Sequence, residues 1–224
     1  MCIRDRYKAG EKILIKLIEN KGSNISFDPK SSNYKHALNN LKKSNNIFEF
    51  GTCSGKTTYL MALNSNKDAK IISLTLGPNQ VKNLNKENID NKISFRNIIN
   101  ESIYEKFLFS GTDVENKINI IFEDSTKFDE SKYMNKFDLI FIDGGHTYSV
   151  VKNDTEKSFK MLNKNGIILW HDYVPGKQSA KNVVNYLNEI SKEKNISNIR
   201  NTSLCVFRNT VSYTHLRAHE TDSH

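Results

Sequence analysis

Short apolar runs alternate along this chain with longer stretches in which apolar residues return every three or four positions. Ile47–Phe50, Ile71–Leu76, Ile118–Phe122, Phe137–Ile142 and Gly166–Trp170 are β-branched or aromatic and bounded by Gly, Asn or Asp, which predicts buried strands. Helical spacing predicts helices over Lys8–Glu19, Tyr34–Lys43, Thr57–Asn64, Asn79–Asn88, Val150–Leu162 and Ser179–Lys194. Leu204–Arg208 reads as a last strand, with Ile196–Ile199 as its hairpin partner. This alternation predicts an α/β fold, a Rossmann-like, doubly wound and mostly parallel sheet with a C-terminal antiparallel strand. No repeat, low-complexity segment or internal linker interrupts it.

The two ends fall outside the pattern. MCIRDR at residues 1–6 and VSYTHLRAHETDSH after Thr210 resemble translated sequencing-adapter readthrough, so residues 1–6 and 210–224 are read as non-native appendages. Residues 7–209 then form a single domain, a length that supports a three-layer core. Tyr7 begins inside a helical pattern, so the native start is expected to be missing. An upstream substrate-binding or oligomerisation segment goes with it, and a homo-oligomer is kept among the expectations.

Composition changes this picture little. The formal charge is +8, yet Lys is scattered among Asn, Ile and Glu with no aromatic-interleaved basic stripe, which disfavours a nucleic-acid partner. Cys53 and Cys205 lie far apart with no C-x-x-C spacing, so neither a disulfide framework nor a zinc site is indicated. No apolar run approaches the ~18 residues of a membrane span. A reducing, cytoplasmic setting without a membrane partner is the expectation.

Candidate chemistry collects at the carboxyl ends of the strands, where open α/β sheets bind ligands. The first such loop, within IFEFGTCSGKTTYL, is one residue short of a P-loop, because only three residues separate Gly51 from Gly55 before Lys56 and Thr57. That shortening disrupts the phosphate cradle, and Glu49 would bring a carboxylate toward an anion. An NTPase or kinase reading, with Asp143 as its Walker B-like residue, and a non-catalytic nucleic-acid-binding module are kept as alternatives. A ligand with a cationic end fits Glu49 better, with Gly51 and Gly55 letting the backbone approach it. The same glycines also suit an ordinary tight turn, and Asp124 with Ser125 suits a helix cap.

EFGTCSGKT, EDSTKFD at residues 123–129 and FDLIFIDGGHTYSVVKNDTEKSFKMLNKNGIILWHDY at residues 137–173 resemble the class I S-adenosylmethionine-dependent methyltransferases. The similarity is strongest to the bacterial branch around macrocin O-methyltransferase and the cephalosporin-hydroxylase-like proteins, and it runs from about residue 47 to residue 209. It implies that Glu49, Gly51, Thr52, Ser54 and Gly55 surround the methionine part of S-adenosyl-L-methionine, with Asp124 and Ser125 at the adenine. Thr75 stands where such proteins usually carry an acidic residue for the ribose hydroxyls, and a hydroxyl lacks the charge-assisted bond.

Strand ends that neighbour one another in a parallel sheet lie about 5 Å apart, so Asp143 is expected to converge with His171 and Asp172 on a divalent cation. Carboxylates suit Mg²⁺ or Mn²⁺, and an imidazole leans toward Mn²⁺, Fe²⁺ or Zn²⁺. His146, three residues past Asp143, is the expected proton acceptor, with an imidazole of ordinary pKa near 6.5. Asp143 and His146 are thus the catalytic candidates. No [ND]-P-P-[YF] segment follows the fourth strand, which disfavours N-methylation of adenine or glutamine. The expected acceptor is a small hydroxylated molecule, such as a sugar or a glycosylated metabolite.

Overall fold

The computed structural model describes residues 41–81, 98–200 and 202–209. Its strands are β1 Asn46–Phe50, β2 Lys70–Thr75, β3 Ile118–Phe122, β4 Phe137–Ile142, β5 Leu162–Trp170, β6 Ile196–Asn198 and β7 Cys205–Arg208. They form one sheet in the order β3-β2-β1-β4-β5-β7-β6. Strands β1 to β5 pair in parallel, and β7 runs antiparallel to both β5 and β6. The three main helices are α1 Lys56–Asn64, α2 Tyr148–Met161 and α3 Lys181–Ile190. The expected doubly wound fold with an antiparallel C-terminal strand is the observed one.

Alternation along the strands sorts the core into two layers. Phe48, Phe50, Ile140, Ile142, Ile168 and Trp170 face one side, where Val151 and Met161 of α2 and Val183 and Leu187 of α3 close over them. Ile47, Leu139, Phe141, Ile167 and Leu169 face the other side, against Met61 and Ala62 of α1. Each such side chain contributes roughly 1.5–3 kcal/mol by leaving water. Trp170 buries its indole and donates Nε1–H to Thr155 Oγ1 of α2 at 2.9 Å, so no polar atom of that ring is stranded.

Strand β5 begins four residues earlier than its apolar run. Phe137 pairs with Leu162 and Leu139 with Ile167, so the four residues 163–166 stand opposite Asp138 alone, as a bulge in the ladder. Polar residues carry this part of the strand, and hydropathy alone cannot show it. The expected helices over Lys8–Glu19 and most of Tyr34–Lys43, the later part of Asn79–Asn88, and both terminal segments lie outside the described residues. No helix among the described residues is long and apolar enough to cross a membrane.

Candidate active site

The switch point of the sheet falls between β1 and β4, and a cavity of about 370 Å³ opens across the strand ends there. Gly51, Thr52, Ser54, Thr75, Asp124, Ser125, Asp143, His146, His171 and Asp172, all expected site residues, line it. Hydrogen bonding continues past the strands themselves: Asp143 donates its N–H to Phe50 O at 2.9 Å, and His171 donates to Ile142 O at 3.0 Å. The sheet thus sets Asp143 and His171 in register.

The loop after β1 needs its glycines for reasons internal to the protein. Gly51 has φ 95°, and a Cβ there would lie 2.3 Å from the carbonyl oxygen of Asp143. Gly55 has φ 76° and caps α1 in the left-handed conformation, and a Cβ on it would meet the Phe109 ring at 2.7 Å. The close approaches expected toward a ligand are, in the structure, approaches to the β4 end and to the stacked rings of Phe107 and Phe109. Gly51 therefore presses the first loop against the reacting end of the cavity.

Glu49 requires a correction. It is fully buried and is not among the cavity-lining residues. Its Oε2 accepts hydrogen bonds from Thr58 Oγ1 and Ser73 Oγ, both at 2.5 Å, and Ser73 in turn meets Thr52 Oγ1 at 2.6 Å. Burial lifts its pKa to about 8, against the opposing pull of the Ser73 and Thr58 hydroxyls. At neutral pH the group is mostly uncharged, so it braces the loop from beneath and does not face a cation. The physical reason is alternation: Glu49 shares the α1 side of the sheet with Ile47.

The loop's supporting partners, Ser73 and Thr58, were missed from sequence. Their signal was a lone serine inside the apolar run of β2 and a threonine at the start of α1. Thr52 points its hydroxyl into this network. Lys56 is exposed at the first position of α1.

Four side chains meet at the ends of β4 and β5. His146 Nε2 lies 2.6 Å from Asp172 Oδ2, His171 Nδ1 lies 3.0 Å from Asp143 Oδ1, and the same nitrogen lies 3.3 Å from Asp172 Oδ1. Asp172 holds both imidazoles at once, from a left-handed backbone with φ 59° that a non-glycine residue adopts at some cost. His171 is pulled down by burial but pushed up more by Asp143 and Asp172, to about 10. His146 is raised by its hydrogen bond to Asp172, which corrects the expectation of an ordinary imidazole. Burial pushes the Asp172 carboxyl up, yet the two imidazoles outweigh it and hold the group well below the usual range.

The bond through Nε2 fixes the tautomer of neutral His146, leaving Nδ1 as its basic nitrogen. Asp143, His146 and Asp172 each offer one ligand atom within 4.8 Å of the others, so His146 joins a convergent set expected to hold His171 instead. His171 Nδ1 is buried without a linear hydrogen bond, although two carboxylate oxygens stand beside it. Adjacent ligand atoms around a small octahedral cation lie about 3 Å apart, the spacing this nitrogen keeps from Asp143. The donor set fits a divalent cation.

Thr75, Asp124 and Ser125 line the other end of the cavity. Asp124 Oδ1 accepts from Thr126 N at 2.9 Å and Thr126 Oγ1 at 2.7 Å, so part of this carboxylate shapes its own turn. Glu101 and Asp154 also line the cavity and were missed from sequence. Asp154 had a legible signal, an acidic residue on the helix face that also carries Val151 and Ser158. Glu101 sits in a segment with no strong periodicity.

The methyltransferase-domain family model matches residues 48–173. No curated protein matches the chain. Among solved structures, the chain is similar to the O-methyltransferase TomG from Streptomyces achromogenes, involved in tomaymycin synthesis and solved with S-adenosylmethionine. Identity is 10%, coverage 93% of this chain and 89% of that one, and TM-score 0.51. A putative caffeoyl-CoA O-methyltransferase from Staphylococcus aureus shares 16% identity over 89% of this chain and 99% of that one, with TM-score 0.52. The S-adenosylhomocysteine-bound methyltransferase PaMTH1 from Podospora anserina shares 14% over 92% and 86%, with TM-score 0.52. The structures agree in fold, and the family match spans the loop after β1 through the cluster after β5. The chain belongs to the methyltransferase-domain family.

Proposed function

We propose that this chain transfers the methyl group of S-adenosylmethionine to a hydroxyl of a small acceptor, such as a sugar or glycosylated metabolite. The observation that carries this reading is the His146–Asp172–His171–Asp143 cluster in the wall of the cavity, beside the loop after β1. Methyl transfer is an in-line displacement: a bond forms between acceptor oxygen and methyl carbon, the carbon–sulfur bond breaks, and S-adenosylhomocysteine leaves with the electron pair. The acceptor proton must go to a base, and His146 Nδ1, oriented through its other nitrogen by Asp172, receives it. Asp143 and Asp172, with His171 beside them, would hold a divalent cation, and the chemistry that Mg²⁺ or Mn²⁺ would supply there is a lower pKa at an acceptor hydroxyl.

Gly51, Thr52 and Ser54 border the methionine part of the cofactor, Thr75 the ribose, and Asp124 with Ser125 the adenine, while Gly55, expected beside them, is buried against Phe107 and Phe109 outside the cavity lining. TomG is an O-methyltransferase solved with S-adenosylmethionine, and PaMTH1 is solved with S-adenosylhomocysteine, which supports the cofactor. The alternative of a nucleotide triphosphate has less support, because the loop is one residue short of a P-loop. The test is methyl transfer from labelled S-adenosylmethionine to sugars, catechols and hydroxylated metabolites, with and without chelator. Labelled methyl ether that falls away in chelator is expected. Full activity in chelator would remove the cation from the mechanism, and saturable ATP binding without S-adenosylhomocysteine binding would overturn the reading.

A further inference from the structure

The two ends of the cavity belong to strands that are not neighbours. Ser125 follows β3 and Asp143 follows β4, with β2 and β1 between them in the sheet. Three inter-strand steps amount to roughly 14 Å, and no ladder hydrogen bond relates one loop directly to the other. Methyl transfer nevertheless requires sulfonium and acceptor to be aligned closely, since a displacement of about 1 Å can cost on the order of 10²-fold in rate. Something other than the sheet must set that distance.

One turn of α2 makes the connection. The helix starts directly after the loop that carries Asp143 and His146, so its position follows that loop. From its buried face, Asn153 Nδ2 donates to Ser125 O at 3.1 Å and to Asp154 Oδ1 at 2.9 Å. Lys157 Nζ donates to Ser125 O and to Phe128 O, both at 2.6 Å. Asp154 is only 1% exposed, lines the cavity and is tied to the Ser125 loop through Asn153, whose amide reaches both Asp154 Oδ1 and the Ser125 carbonyl. On its other side it packs against Gly144, where an added Cβ would stand 3.3 Å from Asp154 Oδ2. A single carboxyl therefore stands between the two loops, linked to one through Asn153 and set close beside the other at Gly144.

A carboxyl buried this deeply costs stability unless its hydrogen bonds repay it, and an apolar residue would pack the helix more cheaply. Burial lifts its pKa to about 6, opposed by the Ser125 and Asn153 side chains. We propose that Asp154 is a positioning residue for methyl transfer, which fixes the Ser125 loop at the adenine end relative to the Gly144 loop at the reacting end. Asn153 and Lys157 complete the brace by holding the Ser125 carbonyl. Asp154 takes no part in the bond changes themselves.

The inference rests on the cofactor lying across both loops, and the experiment separates the two ideas. S-adenosylhomocysteine affinity by calorimetry and kcat at saturating S-adenosylmethionine are measured for wild type, Asp154→Ala, Asp154→Asn and Lys157→Met. Asp154→Ala is expected to lose about tenfold in affinity and at least about tenfold in kcat. Asp154→Asn keeps an oxygen for Asn153, so it should recover most of both. Lys157→Met keeps the aliphatic stem and removes the two carbonyl contacts, so affinity should fall several-fold with a smaller change in kcat. A purely structural role would lower the melting temperature and leave both quantities unchanged per folded molecule, which would overturn the proposal. So would an Asp154→Asn variant no better than Asp154→Ala. If Asp154→Ala does not fold, unchanged affinity in Lys157→Met overturns the brace by itself. Wild type that fails to bind S-adenosylhomocysteine would instead overturn the cofactor placement, and this inference with it.

Discussion

Glu49 and Asp172 are both buried carboxyls at strand ends of one sheet, and they are driven in opposite directions. Glu49 has only hydroxyls for partners, and burial lifts it to about 8. Asp172 sits between two imidazoles that hold it ionised despite its burial. Burial thus yields a neutral brace in one place and a charged cluster in the other, because its effect is decided by what replaces the water. The glycine-loop end is built for shape. The reacting end is built for charge.

Removing a charge from the reacting end should have the largest effect. Asp143→Asn leaves His171 facing a neutral amide, and should lower divalent-cation affinity and turnover by on the order of 10²-fold or more. Affinity for S-adenosylhomocysteine should largely survive, and calorimetry with the cation and the cofactor product separately checks both. Next is Gly51→Ala, which forces a Cβ against the Asp143 carbonyl at 2.3 Å from a backbone with φ 95°. It should destabilise the fold by about 3 kcal/mol in urea unfolding, from backbone strain and overpacking together.

Glu49 gives a pH test of the neutral end. Its folded pKa is raised from 4.5 to about 8, so the folded protein holds a proton that the unfolded chain has released. The stability from this group is complete below pH 4.5 and lost as pH rises to about 8, at up to about 1.4 kcal/mol per pH unit. Glu49→Gln should flatten that decline in urea midpoints measured across the window, and an unchanged slope would show that the group is already ionised. The smallest effect is expected from adding charge where the sequence lacks it. Thr75→Asp should tighten S-adenosylhomocysteine by about 1 kcal/mol, the gain of a charge-assisted bond, and weaker binding would place Thr75 away from the ribose.

The strands were legible because a parallel sheet covered on both faces leaves unbroken apolar runs. The convergence of Asp143, His171 and Asp172 followed from two adjacent strand ends. Glu49 was misread because motif position was weighed above alternation, which puts it on the face shared with Ile47 and beneath the loop. The charge state of His146 was not legible, since it depends on a 2.6 Å contact with Asp172, 26 residues away. Asp154 was legible only as an acidic residue on the helix face that carries Val151, because nothing in a helix pattern says which distant loop a buried carboxyl meets. Composition reports neighbours along the chain, and pKa depends on neighbours in space.

His146 gives the most direct test of the division between a cofactor end and a reacting end. In His146→Ala, kcat for methyl transfer to the best acceptor and the affinity for S-adenosylhomocysteine are measured on the same preparation. Turnover should fall by roughly 10²–10⁴-fold, the usual contribution of a positioned base, while cofactor affinity stays within a few-fold of wild type. Turnover retained at the wild-type level would remove the imidazole from the reaction and contradict the account.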